Sequence, residues 1–585
     1  MIRSAIFQRV LGLAALTCAI PALSLAAQSA QKCAATTGAP MPLKYVGGAT
    51  AAAITPCDLM TRLYIFADDS MMGRQVGTKY NDMGTDYIEH EVRRLGLVPG
   101  GQDGGYFQKV PVFEREFDPT STLTVDGQTF KGGTDFTATI SGTSASLNGL
   151  PVVFGGTALD TTHILPNDAV AGKVLVLVTG AQAPRFRSLT PGLRAYLDSQ
   201  AGAAAVITIV GDELPARRGF GGRGSYIDPE SPEPAATSAA GPRVSVTTAV
   251  GTALLGASPA TMTLGASGKS VSMDLRFTQS PLPGRNVVAI LRGSDPKLKG
   301  EYILIGAHND HIGFRQGGLP HDSVKAFNMV FRQQGADSRG NGTPSEAQWA
   351  EINGKIDSMR KIHPMRIDSI SNGADDDGSG SVTLLELAEA FAKAPTQPKR
   401  SMLFVWHAGE EAGLWGSKYF SDHPSVSRDS IVGAINIDMV GRGAATDVTG
   451  TTSAGDLIHG GQGYIQSVGA RRLSTELGDL SEAVNTRGNH GFKIDYALDA
   501  DGHPQNIYCR SDHYEYARYS IPVVFFTTGG HADYHQVTDE PEYIQYRHMA
   551  AIGNYLFDLG KTMANLDHRL VVDKERPDPF GSCRQ

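Results

Sequence analysis

Charge is scarce in this sequence. Asp, Glu, Lys and Arg make up 19% of the 585 residues, below the ~25% usual for soluble chains, and that composition excludes a coiled coil and a disordered, highly charged tail protein. A basic excess is missing as well: 52 Lys and Arg face 60 Asp and Glu, for a formal charge of −8, so a nucleic-acid groove is not its main business. Past the N-terminus no run approaches the ~18 apolar residues of a membrane-spanning helix. Two catalytic signatures are absent, Gly-x-Ser-x-Gly of serine hydrolases and His-Glu-x-x-His of zincins. Cysteine is rare, five in all, and its wide spacing argues against a zinc ribbon.

Glycine is abundant, with 68 residues, and the 31 prolines are ordinary for this length. The length allows about three to five domains, or two large ones. Residues 1–27 read as an export signal: Arg3 and Arg9 precede an apolar run from Val10 to Ala27, and Ser24-Leu25-Ala26-Ala27 offers a small-residue cleavage site. Cleavage removes Cys18 and leaves Cys33, Cys57, Cys509 and Cys583. An exported chain meets an oxidising compartment, where four cysteines suggest two disulfides in any of three pairings. The expected location is periplasmic or secreted, with no membrane span once the signal is removed.

Leu59, Leu63 and Phe66 recur at helical spacing after Asp58, and Tyr87, Val92 and Leu95 mark a second helix that Gly96 stops. Residues 136–274 change character: short β-branched runs at 151–154, 174–179 and 205–210 alternate with Gly, Ala and Pro, as in a small β-rich inserted domain. Gly219 to Gly224 matches a dinucleotide pattern only literally, because Pro215, Pro229 and Pro232 break the required strand and helix. From about 285 the pattern is strand, loop, helix, repeated. Strands at 302–306, 402–406, 431–437 and 523–526 alternate with helices near 382–392, 414–420 and 543–559. This predicts an α/β fold with a doubly wound, mainly parallel sheet and helices on both faces, whose ligands sit beyond the carboxyl ends of the strands.

Histidine and carboxylate residues gather at those ends. His308-Asn309-Asp310 follows the first strand, Glu410-Glu411 the second, Asp438 the third, and His531 to His535 the fourth, while Asp375-Asp376-Asp377-Gly378 opens a helix. Singly, each reads as a satisfied strand-end group, a loop or a helix cap. Together they supply the His nitrogen and carboxylate oxygen that zinc takes. A zinc pair balanced by three carboxylates and two neutral histidines retains a positive charge that a hydroxide cancels. The ligand that bridges two ions belongs in the tightest turn, which favours Asp376.

The segments Gly306 to His311, Gly373 to Gly380, Gly409 to Leu414, Asn436 to Arg442 and Asp533-Tyr534-His535 resemble, in order and wording, the co-catalytic di-zinc aminopeptidases of metallopeptidase clan MH, family twenty-eight. Met72-Gly73-Arg74 and Tyr106-Phe107-Gln108 are similar to that family's N-terminal segment, and residues 136–274 to its inserted protease-associated domain. The resemblance implies two zinc ions per chain: His308 and Asp438 on one, Glu411 and His535 on the other, and Asp376 bridging them, with a cis peptide after it. It implies Glu410 as general base, Asp310 orienting His308, Tyr534 stabilising the oxyanion, and Arg510 to His513 near the substrate pocket. The expected catalytic domain is discontinuous, 28–135 with 275–585, and the expected substrates are peptides. On the same fold, the alternatives are a carboxypeptidase, a glutaminyl cyclase or a receptor-like binding protein. The preferred side chain, the native metal and the oligomeric state stay open.

Residues 317–371 depart from the family pattern as an extra insertion. Thr343, Pro344 and Glu346 form an expected capping box, and Trp349, Ile352, Ile356 and Met359 follow at helical spacing. This predicts a surface helix packed on its own domain, or else a lid or subunit contact over the cleft.

Overall fold

The computed structural model describes residues 33–36, 41–139, 144–179, 191–214, 224–226, 241–338 and 342–585. The 1–27 segment read as an export signal, and all of the Gly219–Gly224 stretch except Gly224, lie outside the described residues.

The body of the protein is built on a nine-stranded sheet. At its centre β1 (Tyr302–His308), β2 (Ser401–His407), β3 (Ile431–Ile437) and β4 (Val523–Thr527) lie in the spatial order β2-β1-β3-β4, all parallel. Every residue of these four strands is buried, as their unbroken apolar runs require. The register sets His308 beside His407, Gly306 beside Asn436, and Asn436 beside Phe525, so the four carboxyl ends form one edge. The flanks are antiparallel: Arg285–Leu291 joins β2, and Tyr464–Val468 joins β4. The sheet is therefore mixed, with a parallel core and antiparallel joins on both sides of it. Apolar runs buried on both faces look alike in either direction, so hydrophobic pattern alone does not reveal strand direction.

Successive side chains of a strand point to opposite faces, and two cores result. Ile303, Ile305, Phe404 and Ile435 pack with the helices Pro56–Phe66, Gly380–Ala392 and Tyr546–Asn565 on one side; Leu304, Leu403, Val405 and Ala434 pack with Phe420 and Tyr516 on the other. Each fully buried Leu, Ile or Phe contributes about 1.5–3 kcal/mol. A second, eight-stranded sheet runs from Thr122–Val125 to Ser267–Leu275 and has its own core around Phe136, Val176, Ile207 and Val271. Disulfides join Cys33 to Cys57 and Cys509 to Cys583.

Between β1 and the Asp375 turn, the strands Phe314–Pro320 and Ile367–Ile370 pair antiparallel and enclose two helices, α1 (His321–Phe331) and α2 (Glu346–Arg360). The capping box of α2 is not the expected Thr343–Glu346. Ser345 caps it: its Oγ accepts from the Gln348 amide (3.3 Å), and Gln348 Oε1 accepts from the Ser345 amide (2.9 Å). Two overlapping Ser/Thr-x-x-Glu/Gln patterns compete here, and the reciprocal pair forms at the one that starts the helix after Pro344. Trp349 remains 44% exposed while Ile352 is buried.

Candidate metal centre

Each parallel strand ends by releasing its chain into a loop, and these loops converge. His308 is the last residue of β1, and Asp438 follows β3 directly. Glu410 and Glu411 follow β2, His535 lies in the loop after β4, and Asp376 sits in the turn Ala374–Ser379, with a cis peptide between Asp376 and Asp377.

Asp376 occupies the middle. Its Oδ1 is 3.2 Å from His308 Nε2, and its Oδ2 is 3.1 Å from His535 Nε2. His308 Nε2 also faces Asp438 Oδ1 at 3.6 Å, and His535 Nε2 faces Glu411 Oε2 at 2.9 Å. One carboxylate thus separates two nests, each holding one further carboxylate and a histidine. Glu410 Oε2 lies 4.0 Å from His308 Nε2. His308 Nε2, His535 Nε2, Asp376 Oδ2, Glu411 Oε1 and Asp438 Oδ1 are buried without a hydrogen-bond partner. Buried polar atoms are rarely left so, and this set of nitrogen and carboxylate donors is one that zinc takes. The residues therefore fit a pair of cations.

The electrostatics agree. Burial opposes a charge on His308, but Asp438, Glu410 and Asp376 outweigh it and raise its pKa well above the ordinary value. Burial, then Asp438 and Glu411, push the Glu410 carboxyl well up, against the pull of His308. These groups crowd negative charge into a dry site, and bound cations reverse such a balance.

The loops are braced from behind. His308 Nδ1 meets the carbonyl of Asp310 at 3.0 Å, which leaves Nε2 free for a cation. The orienting group is thus the Asp310 main chain. Its carboxylate lies 3.8 Å from His308 Nδ1 and accepts instead from the amides of Gly409 (2.8 Å) and Glu410 (3.2 Å), fixing the turn that carries the two glutamates. Ser511 Oγ donates to Asp438 Oδ2 at 2.7 Å. Asp539 accepts from the amides of Asp375 (3.0 Å) and Asp376 (3.1 Å). Asp377 accepts from the amides of His308 (3.1 Å), Gly380 (2.8 Å) and Met439 (3.2 Å), linking three of the converging segments. The buried Arg74 donates to the carbonyls of Phe66, Asn309, Asn372 and Gly373. It reaches them because Gly73, at φ +68°, lies where a Cβ would meet the Ser371 carbonyl oxygen at 2.3 Å.

All five expected ligands, Glu410 and Asp310 come together. Tyr534 lines the adjoining cleft with Glu410, Asp438 and Arg510. Of the segment 510–513, Arg510 and Ser511 reach the cleft, while Asp512 and His513 are buried behind it. Sequence reasoning assigned no part to His311. Its Nδ1 lies 2.7 Å from Glu411 Oε1 and 3.7 Å from Asp376 Oδ2, and its ring meets that of His535 edge-on. Its place three residues after His308, in the same loop, was the available signal.

Residues 286–559 match the model of the family described as Peptidase family M28. Among curated relatives, leupeptin-inactivating enzyme 1 of Streptomyces exfoliatus is 42% identical over 78 residues, 13% of this chain and 18% of its own. Leucine aminopeptidase 1 of Coccidioides posadasii is 35% identical over 158 residues, 26% of this chain and 36% of its own. The chain thus spans well under half the length of these relatives. Among solved structures, an aminopeptidase from Aneurinibacillus sp. strain AM-1 aligns with a TM-score of 0.45 at 17% identity, covering 90% of this chain and 97% of that one. A zinc aminopeptidase from Bacillus subtilis aligns with a TM-score of 0.45 at 16% identity, covering 87% and 95%.

Proposed function

We propose that the chain is an exported aminopeptidase that hydrolyses the N-terminal peptide bond of peptides with two zinc ions per chain. The observation that carries this reading is Asp376, whose two oxygens face different histidines, each beside a further carboxylate. His308 and Asp438 would hold one ion, Glu411 and His535 the other, and Asp376 both. His311, at 2.7 Å from Glu411 Oε1, would fix that carboxylate. A bound zinc pair supplies a polarised substrate carbonyl and a water of lowered pKa.

The chain's own groups do the rest. Glu410 takes the proton of the attacking water and passes it to the departing amine, so one carboxylate serves as base and then as acid. The Tyr534 hydroxyl donates to the oxygen that gains charge as water adds. The carboxylates of Glu410 and Asp438, both lining the cleft, favour a substrate's free α-ammonium. The two disulfides support an oxidising destination; among the described residues no helix is long and apolar enough to cross a membrane. We include in the proposal the reading of the β-rich lobe as an inserted protease-associated domain.

The test pairs a peptide panel with Glu410→Gln. Purified protein should contain two zinc ions per chain and cleave amino-acyl peptides but not their N-acetylated forms. Glu410→Gln should keep its metal and lose about a hundredfold or more in kcat. Cleavage of blocked peptides from the C-terminus would instead identify a carboxypeptidase, and full activity in Glu410→Gln would remove the general base.

A further inference from the structure

The insertion between β1 and the Asp375 turn reaches the cleft. After α1 the chain makes a tight turn, Gly335–Asp337, that docks on Tyr534. The Ala336 amide donates to the Tyr534 carbonyl at 3.0 Å. Gly335 has φ +53°, and a Cβ there would meet the Tyr534 carbonyl oxygen at 2.5 Å and its amide nitrogen at 2.8 Å. The approach is close enough to demand glycine. From the same turn Asp337 Oδ2 accepts from Arg510 Nη1 at 2.7 Å, and Arg510 Nη2 donates to the Tyr534 hydroxyl at 3.2 Å. Asp337, Arg510, Tyr534 and Glu410 all line the same cleft.

The direction of these bonds matters. A guanidinium only donates, so Arg510 occupies a lone pair of the phenol oxygen and leaves the phenolic hydrogen to point elsewhere, into the cleft. Arg510 is a long side chain with several rotamers, and a planar ion pair with a carboxylate on its far side holds it in one of them. The insertion therefore grips Tyr534 twice, at its backbone through Ala336 and at its hydroxyl through Asp337 and Arg510.

We infer that Asp337 is a positioning residue for hydrolysis: by holding Arg510 it aims the Tyr534 hydroxyl at the oxygen that gains charge, so the insertion completes the active site. This rests on the aminopeptidase reading above. Removing such a donor outright costs about 10²–10³ in kcat, so losing only its orientation is expected to lower kcat about tenfold.

The experiment is a double-mutant cycle on the zinc-loaded enzyme, measuring kcat and KM on an amino-acyl peptide together with zinc content and melting temperature. Asp337→Asn should lower kcat about tenfold, change KM little and leave two zinc ions bound; Asp337→Glu should recover part of the loss. In the Tyr534→Phe background, Asp337→Asn should have no further effect on kcat. Unchanged kcat in Asp337→Asn, a rise confined to KM, or an equal loss with and without Tyr534 each overturns the inference. If Asp337→Asn does not fold, Arg510→Lys, which keeps the charge but not the two-sided fork, provides the same cycle. Failure of the aminopeptidase reading is separate: it appears as wild-type protein inactive on peptides with free N-termini, or as undiminished Glu410→Gln.

Discussion

Removing Lys325 gives a direct measure of how far the insertion is built into the site. Lys325 lies on α1, is 7% exposed, and places Nζ 2.7 Å from Asp533 Oδ2, immediately before Tyr534 and His535. The same oxygen accepts from Arg442 Nη1 at 2.8 Å, and Thr538 Oγ1 donates to Oδ1 at 2.6 Å. Burial alone would raise the Asp533 carboxyl, but Lys325 and Arg442 outweigh it and hold it well below the usual carboxylate range. Breaking a buried ion pair outright costs about 3–5 kcal/mol. In Lys325→Met, two of the three donors to Asp533 remain, so a loss of about 2 kcal/mol is expected. At about 1 °C per kcal/mol for a body of this size, this lowers Tm by roughly 2 °C. Calorimetry at neutral pH should show the shift, while Lys361→Met on the exposed end of the insertion should stay within about 0.5 kcal/mol of wild type. A depressed carboxylate contributes stability above its unfolded pKa, ~3.9, and loses it as pH falls through the lower folded value. The gap between variant and wild type should therefore narrow in acid. Melting of Lys325→Met within 1 °C of wild type at neutral pH would refute the idea that the insertion braces the catalytic loop.

Asp376→Ala should release both zinc ions together, read as metal per chain after dialysis against buffer; retention of one ion at full occupancy would exclude a bridging role. Burial pushes the His513 imidazole down to about 3, with Asp512 opposing and Arg472 adding to the effect. The unfolded chain, near ~6.5, then takes up this proton first, so His513 contributes full stability above that pH and progressively less as pH falls toward 3. His513→Phe, which keeps the stacking on Phe525, should flatten that part of the urea-midpoint profile, and an unaltered slope would count against it.

Much of the site was legible because most of the candidate ligands lie at or shortly after the carboxyl ends of buried strands. His308 and Asp438 continue β1 and β3, and strands buried on both faces announce themselves by unbroken apolar runs. What stayed hidden is of another kind. The antiparallel flanks were invisible because direction leaves no trace in a two-sided apolar strand. The pairing of Cys509 with Cys583 depends on where two loops meet, and spacing does not encode it. The sequence points to Asp310 as the group that orients His308, but that its carbonyl does this while its carboxylate serves the Gly409 turn is a division only the backbone path decides. Asp337 sits in a short turn without periodicity, and its meaning depends on Arg510 arriving from a distant segment.

The Asp539 carboxylate that secures the amides around Asp376 has a temporal consequence. The two partners lie 163 residues apart along the chain, and the nests also draw on His308 and His535. During synthesis the early part of the body therefore has neither a fixed Asp376 turn nor His535. A half-made chain, or one cut before Asp539, therefore lacks groups that the two nests need, and under the proposed function it would stay inert until synthesis is complete.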